Sequence, residues 1–360
     1  MSERKLASIQ IIKNLEPIEG RDRIELATVE GWKVIVGKGD FKVGDRCVYI
    51  EIDSVLPDRP EFEQARKRSN RIRTMKMAGV YSQGIVYPLT ILPNMIDDHT
   101  ISYNQYHEGD DVTELLGITK YDEYAGEEPK VGVSKKKYNK FQLFWYKLFG
   151  FPQKKKEGFT SLVSKTDEVR IQNVPEALQN KEPVVVTEKV DGCSMTVTIE
   201  NTFFGNKFNV YSRNLRIGKD NSHYWKAVEM YGLQDRMELM LEELELDWLA
   251  IQGEVAGPSI QGNPYLLKDV DFYVFNIITP NGRWGTEQMV AYCYRYGLTP
   301  VPIIDTNYIL PDTVDGMLQY ATNKSLINSN VLREGVVVRS KDGQKSFKAV
   351  SPEYLVKHGK

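Results

Sequence analysis

The chain has 360 residues, 41% of them hydrophobic and 27% charged, and its 47 Lys and Arg against 49 Asp and Glu leave a formal net charge of -2. This is a globular profile with length for two or three domains. It excludes low-complexity disorder and collagen and argues against a bulk nucleic-acid packager, which is strongly basic.

Cys47, Cys193 and Cys293 are too sparse for a disulfide framework or a zinc site, and His99, His107, His223 and His358 are scattered. No apolar leader follows Met1, and no apolar run approaches the ~20 residues of a membrane helix. These features predict an intracellular, cytoplasmic protein (the nucleus included) with no membrane contact.

In chain order, Ser8–Ile12, Leu26–Val36, Arg46–Ile52 and Gly84–Leu89 read as short strands rich in Val, Ile, Tyr and Trp. Gly31, Gly37, Gly39 and Gly44-Asp45 punctuate them. Without intervening helical periodicity, antiparallel β-structure is expected, as a small barrel of OB or SH3-like type. Between the strands, Arg66, Lys67, Arg68, Arg71, Arg73 and Lys76 form a basic run with no acid inside it. It is either a solvated face or a phosphate-contacting one.

Residues 108–128 carry eight acids against Lys120, and residues 134–159 carry eight lysines against Glu157. The near-neutral total is therefore a cancellation, and the switch of sign marks a linker. Phe141, Phe144, Trp145 and Leu148 have the spacing of one helical face, which predicts a short amphipathic helix there. From residue 161 the pattern becomes mixed. Glu182–Val186, Ser194–Ile199, Asp271–Ile278 and Glu334–Arg339 read as strands. Asn221 or Ser222 would cap a helix that breaks near Gly232, and Thr286 would cap another ending at Gly297.

The segment that carries chemistry is Thr187-Glu188-Lys189-Val190-Asp191-Gly192-Cys193-Ser194. In extended backbone Lys189 and Asp191 share a face, and the glycine permits close approach of a ligand. In order there follow Tyr211-Ser212-Arg213-Asn214, Ile251-Gln252-Gly253-Glu254, Asp271-Phe272-Tyr273-Val274-Phe275-Asn276, Arg333-Glu334-Gly335 and Ser346-Phe347-Lys348-Ala349. Asp191, Glu254 and Glu334 lie on separate strand-like segments. Carboxylates that converge repel one another unless a cation sits among them, and hard oxygen ligands suit Mg²⁺ or Mn²⁺.

This ordered set resembles the covalent nucleotidyltransferases, the superfamily of polynucleotide ligases and mRNA-capping enzymes. Gly31-Trp32-Lys33, Gly44–Asp53, Ile72–Lys76, Asp167–Asn173 and Gly257–Gln261 extend the likeness to the RNA ligases of the Deinococcus and Naegleria type, over nearly the whole chain. The resemblance implies an α+β architecture. An N-terminal OB-fold β-barrel (1–125) and a basic, aromatic linker (126–160) precede an adenylyltransferase domain, an ATP-grasp-like ligase domain of antiparallel sheets and helices (161–360).

It also implies an ATP-dependent RNA ligase. Lys189 would be the nucleophile that becomes lysyl-AMP, and Lys348 the second catalytic lysine. Glu188, Arg213, Phe275, Arg170 and Lys345 would contact the nucleotide. Asp191, Glu254 and Glu334 would hold Mg²⁺ or Mn²⁺, largely through water. Phe272 is an alternative to Phe275, Asn276 stands where relatives often carry an acid, and Lys345 competes with Lys348 for the terminal-lysine role. A free lysine, with a pKa of ~10.4, must be shifted down before it attacks.

The implied substrate is nicked duplex RNA or an RNA/DNA hybrid with RNA on the 3′-OH side, gripped by a monomer. The short segment after Lys348 leaves no room for a C-terminal OB domain or for the zinc and helix-hairpin region of NAD-dependent ligases, which favours ATP. The rival readings are a capping-type guanylyltransferase and a non-catalytic OB nucleic-acid-binding protein.

Overall fold

A computed structural model of the chain describes residues 4–93, 95–97, 100–121, 158–220 and 222–360. The expected helix on Phe141, Phe144, Trp145 and Leu148, the eight lysines of the basic segment and Asn221 lie outside the described residues. The chain falls into two compact units. One joins Met1–Tyr121, Asp167–Asp191 and Val301–Lys360; the other joins Asp122–Thr166 and Gly192–Pro300. Among the described residues no helix is long and apolar enough to cross a membrane.

In the first unit, five antiparallel strands form the N-terminal sheet in the order Trp32–Gly37, Arg21–Val29, Ala7–Ile18, Arg46–Ile50, Ile85–Pro88. Ala7–Ile18 is long enough to pair at one end with Arg46–Ile50 and at the other with Arg21–Val29. Its register slips between Ile12 and Asn14, the kind of irregularity that bends a strand into a barrel wall. The expected run Leu26–Val36 is two strands, not one. Glu30 takes φ 51°, and Gly31 lies so close to the backbone of Gln172 that a Cβ would come within 2.8 Å of it. No side chain fits at Gly31, and the chain turns back on itself at Glu30-Gly31.

The barrel core gathers Ile9, Ile12, Val34, Val48, Tyr49, Phe62 and Trp32. Trp32 is fully buried, and its indole N–H donates to Asn173 Oδ1 at 2.5 Å, while Asn173 Nδ2 donates to Glu51 Oε1 at 2.7 Å. Trp32 thereby ties the barrel to the segment ahead of the lysine motif. Trp32→Ala is expected to cost about 3–5 kcal/mol through the cavity it leaves. Trp32→Phe should cost less, because it keeps most of the packing and loses the hydrogen bond. Urea denaturation of both variants checks this.

The same unit holds a four-stranded sheet in the order Ile303–Tyr308, Val184–Lys189, Gly335–Arg339, Ser346–Val350. Val184, Val186, Val336, Val338, Phe347 and Ala349 pack beneath it with Met317 and Leu318 of the helix Val314–Ala321.

The second unit is a mainly antiparallel sheet running Arg216–Ile217, Gly205–Tyr211, Cys193–Thr202, Trp248–Ala256, Asp271–Thr279, Gly282–Arg283, with Thr299–Pro300 joined in parallel to Asp271–Thr279. Ala227, Val228, Met237, Met240, Met289 and Cys293 pack against this sheet from the helices His223–Tyr231, Leu233–Glu243 and Thr286–Arg295. The helix expected from Ser222 does break at Gly232, which takes the left-handed φ of 52°.

Candidate active site

In the first unit, the lysine strand Val184–Lys189 pairs antiparallel with Gly335–Arg339, and the register sets Lys189 opposite Gly335. The preceding residue, Glu334, then reaches Lys189, with Nζ to Oε2 at 2.5 Å. Gly335 is required by close approach. A Cβ there would come within 2.2 Å of the Ala349 carbonyl oxygen on the next strand, so any side chain would pry the strands apart beside Lys189.

That next strand carries Lys348. Arg170 bridges alongside it in parallel, and the Lys348 N–H donates to the Val169 carbonyl at 2.8 Å. Lys348 Nζ donates to Asp167 Oδ1 at 2.8 Å. Burial pushes the Lys348 amine down, Asp167 opposes this, and the nearby cations Arg170 and Lys189 push it down further, to about 8. Lys345, the competing lysine, sits exposed on the turn beyond, close to Asp342.

Arg170 is buried, with its guanidinium over the Trp32 ring at 5.9 Å and one nitrogen 3.5 Å from Asp53 Oδ2. Among the described residues its Nε and Nη1 have no hydrogen-bond partner. Burial and the neighbouring Arg4 push its pKa down, while Asp53, Glu51 and Glu334 oppose them. Asp53 adopts φ 67° and also pairs with Arg71 at 2.8 Å and Arg4 at 3.8 Å. Burial pushes the Asp53 carboxyl up, yet Arg170, Arg71 and Arg4 together hold it below its ordinary value.

Part of the basic run is thus neutralised at home. Arg71 pairs with Asp53 and lies over the Tyr121 ring, Arg66 pairs with Asp58, and Lys67 pairs with Glu63.

Glu188 points away from Lys189, as strand alternation dictates. Its buried carboxylate accepts from the Ser325 hydroxyl at 2.6 Å and the Leu326 N–H at 2.7 Å. Burial raises its pKa against these bonds. Asp191, also buried, accepts from the Tyr354 hydroxyl at 2.7 Å and from Lys360 Nζ at 2.7 Å on both oxygens.

In the second unit, Glu254 stands opposite Ser194 on one side and Tyr273 on the other. Gly192 packs against this strand so closely that a Cβ would meet the Val255 carbonyl oxygen at 2.3 Å and Glu254 Cγ at 3.0 Å. The glycine of the lysine motif and the glutamate strand are therefore in direct contact.

Phe275 is the extra residue of a β-bulge. Gln252 pairs with Asn276 and Gly253 with Val274, so Phe275 falls at the register shift between those pairs and is half-buried. Bulges re-aim side chains next to active sites. Phe272, the alternative, is fully buried in the core against Tyr231. Asn276 is buried and donates to Gln252 Oε1 at 2.9 Å, and Gln252 Nε2 in turn donates to the Ser164 carbonyl at 3.0 Å. Arg213 is exposed just past Gly205–Tyr211. Among the described residues no group of three or more His, Cys, Asp or Glu side chains is placed to hold a metal ion directly.

A family model described as an OB-fold domain matches residues 6–89, and one described as RNA ligase matches residues 182–350. Among solved structures, an RNA ligase of Naegleria gruberi with pyrophosphate is similar at 31% identity over 99% of this chain and 99% of its own, with a TM-score of 0.80. The chain belongs to the RNA ligase family.

Two further forms of the Naegleria gruberi enzyme are similar to this ligase. A variant with ATP and manganese shares 31% identity, covers 99% of this chain and 100% of its own, and has a TM-score of 0.80. Another, with AMP and manganese, shares 31% identity over 99% of both chains, with a TM-score of 0.79. No curated protein matches the chain. The ligase is thus an enzyme, a covalent nucleotidyltransferase with an OB-fold domain ahead of its sheets.

Around Lys189 the structure of the ligase gathers Glu334, Lys348 and Arg170 within the first unit, and it places Glu254, Phe275 and Arg213 in the second. Sequence reading missed Asp167, Asp53, Tyr354 and Lys360 as members of the site. Asp167 and Asp53 lie inside the segments that carried the family resemblance, so an acid within reach of a motif cation was the available signal. Tyr354 and Lys360 gave none.

Proposed function

We propose that the protein is an ATP-dependent RNA ligase that works through a lysyl-AMP intermediate. The observation that carries this reading is the placing of Lys189 against Glu334 at 2.5 Å, with Lys348 and Arg170 as neighbouring cations. A lysine with further cations beside it is suited to meet the phosphates of a nucleotide. Variants of the Naegleria ligase have been solved with a lysine, the aspartate two positions on, two glutamates and a second lysine replaced. The types and their order are those of Lys189, Asp191, Glu254, Glu334 and Lys348.

Lys189, as the neutral amine, attacks the α-phosphorus of ATP; an N–P bond forms, the α–β P–O bond breaks, pyrophosphate leaves, and the nitrogen gives up a proton to solvent. Lys348 and Arg170 stabilise the developing negative charge on the phosphates. Lys189 then yields AMP to an RNA 5′-phosphate, and a 3′-OH displaces AMP to seal the strand. Phe275, re-aimed by its bulge, stacks on adenine, and Arg213 contacts the nucleotide.

Asp191, Glu254 and Glu334 would hold a divalent ion, Mg²⁺ or Mn²⁺, through water. Asp191 and Glu334 suit that task, because each is a little-exposed carboxylate already holding a cation. When bound, the ion offsets phosphoryl charge. The substrate is a nicked duplex with RNA on the 3′-OH side. The barrel contacts the flanking duplex through its backbone, and the enzyme acts intracellularly as a monomer.

Labelled ATP and GTP offered separately, with Mg²⁺ or Mn²⁺, test the first step, and the expected covalent adduct forms with ATP. An adduct with GTP alone would establish the capping-type reading instead, and none with either would establish a non-catalytic protein. Nicks that differ only in RNA or DNA on each strand test the last step, and sealing is expected where the 3′-OH end is RNA.

A further inference from the structure

Asp191 is held by a cation that the reaction does not use. Lys360 Nζ lies 2.7 Å from each of its oxygens, and the side chains of Lys360 and Asp191 are only 14% and 6% exposed. The lysine is fixed from its own backbone. The helix Pro352–His358 is capped by Ser351 and ends at Gly359 with φ 67°. The Lys360 N–H then donates to the Leu355 carbonyl at 2.8 Å, and its carbonyl accepts from the Thr74 N–H of the barrel at 3.2 Å. Tyr354, on the same helix, adds its hydroxyl to Asp191 and stacks on the His358 ring at 4.0 Å. One short element thus delivers both an ammonium and a hydroxyl to one buried carboxylate.

We propose that Lys360 is a positioning residue that holds Asp191 in the metal-free enzyme and must release it to the divalent ion, so that it sets the metal affinity. This rests on the reading of Asp191 as a water-mediated metal ligand. An ammonium at hydrogen-bond distance from both oxygens occupies the lone pairs that a hydrated dication needs. The Lys189–Glu334 pair has the same form, but Lys189 leaves it to attack phosphorus. Lys360 has no such step, so it competes with the ion by charge alone. Binding to a site that is free in only a fraction of molecules is weakened by that fraction.

The test measures Mn²⁺ binding to the full chain by electron paramagnetic resonance of free Mn²⁺, with the non-reacting analogue α,β-methylene-ATP present. Lys360→Met is expected to bind Mn²⁺ about tenfold more tightly than wild type, the gain if Lys360 blocks the site in roughly nine molecules of ten. Lys360→Arg, which keeps the charge, should stay near wild type. Asp191→Asn should weaken binding.

If Lys360→Met binds no more tightly while Asp191→Asn weakens binding, the inference fails and the metal reading stands. If Asp191→Asn has no effect, the metal reading fails and the inference with it. Tightening in Lys360→Arg equal to that in Lys360→Met would overturn competition by charge.

Discussion

Lys189→Ala is expected to abolish transfer of label from α-labelled ATP to the protein, a loss of more than about 10⁴-fold of the kind seen when a nucleophile is removed. The substitution deletes the attacking nitrogen and leaves the strand intact. Lys189 closes the Val184–Lys189 strand, and its backbone register with Gly335 does not need the side chain. Lys189→Arg restores a cation beside Glu334 and should also give no adduct, which separates nucleophilicity from charge. RNA supplied with AMP already on its 5′-phosphate should still be sealed by Lys189→Ala, because that step forms no bond to lysine. Equal labelling of wild type and Lys189→Ala would overturn the mechanism.

The strand pattern was legible because it rests on period and composition. Cys193–Thr202, Asp271–Thr279 and Gly335–Arg339 lie where alternating or β-branched runs place them, whereas the run expected over Glu182–Val186 begins at Val184 and continues through Lys189. The turn at Glu30-Gly31 was half legible. The glycine marks a turn, but the close approach of Gln172, 141 positions from Gly31, which leaves no space for a side chain there, is visible only in the fold. Such contacts have no local signal.

The same division holds for the site. Lys189 and Lys348 sit at defined registers on either side of the strand Gly335–Arg339, which Glu334 immediately precedes, and their motifs show at sequence level. The bulge that singles out Phe275 depends on how two strands slip past one another, so sequence alone left Phe272 as an alternative. The turn of Glu188 toward Ser325 follows from alternation, but its partner is visible only in the fold. The acids that serve the cations, Asp167 for Lys348 and Asp53 for Arg170, come from other segments brought in by tertiary packing.

Lys348→Met should lower the rate of adduct formation by about 10²–10³-fold, the loss typical when one preorganised charge donor to a developing oxyanion is removed. Its side chain lies 15% exposed beside Asp167, so methionine can fill the space, and the variant should remain folded. The pH dependence separates catalysis from stability because the two move in opposite directions. With a free-enzyme pKa of about 8, Lys348 loses its charge as pH rises through 8. The adenylylation kcat/KM of wild type, which reports the free enzyme, should therefore fall on that side.

Folding has the reverse sign. The native pKa lies below the ordinary 10.5, so between about 8 and that value the unfolded chain binds more protons from this group, and stability gained from Lys348 rises with pH. In Lys348→Met both slopes should disappear over the same window, one flattening in a kinetic profile and the other in urea midpoints measured at matched pH. An unchanged alkaline limb in Lys348→Met would assign that limb to another group and remove Lys348 from the charge that meets the phosphates.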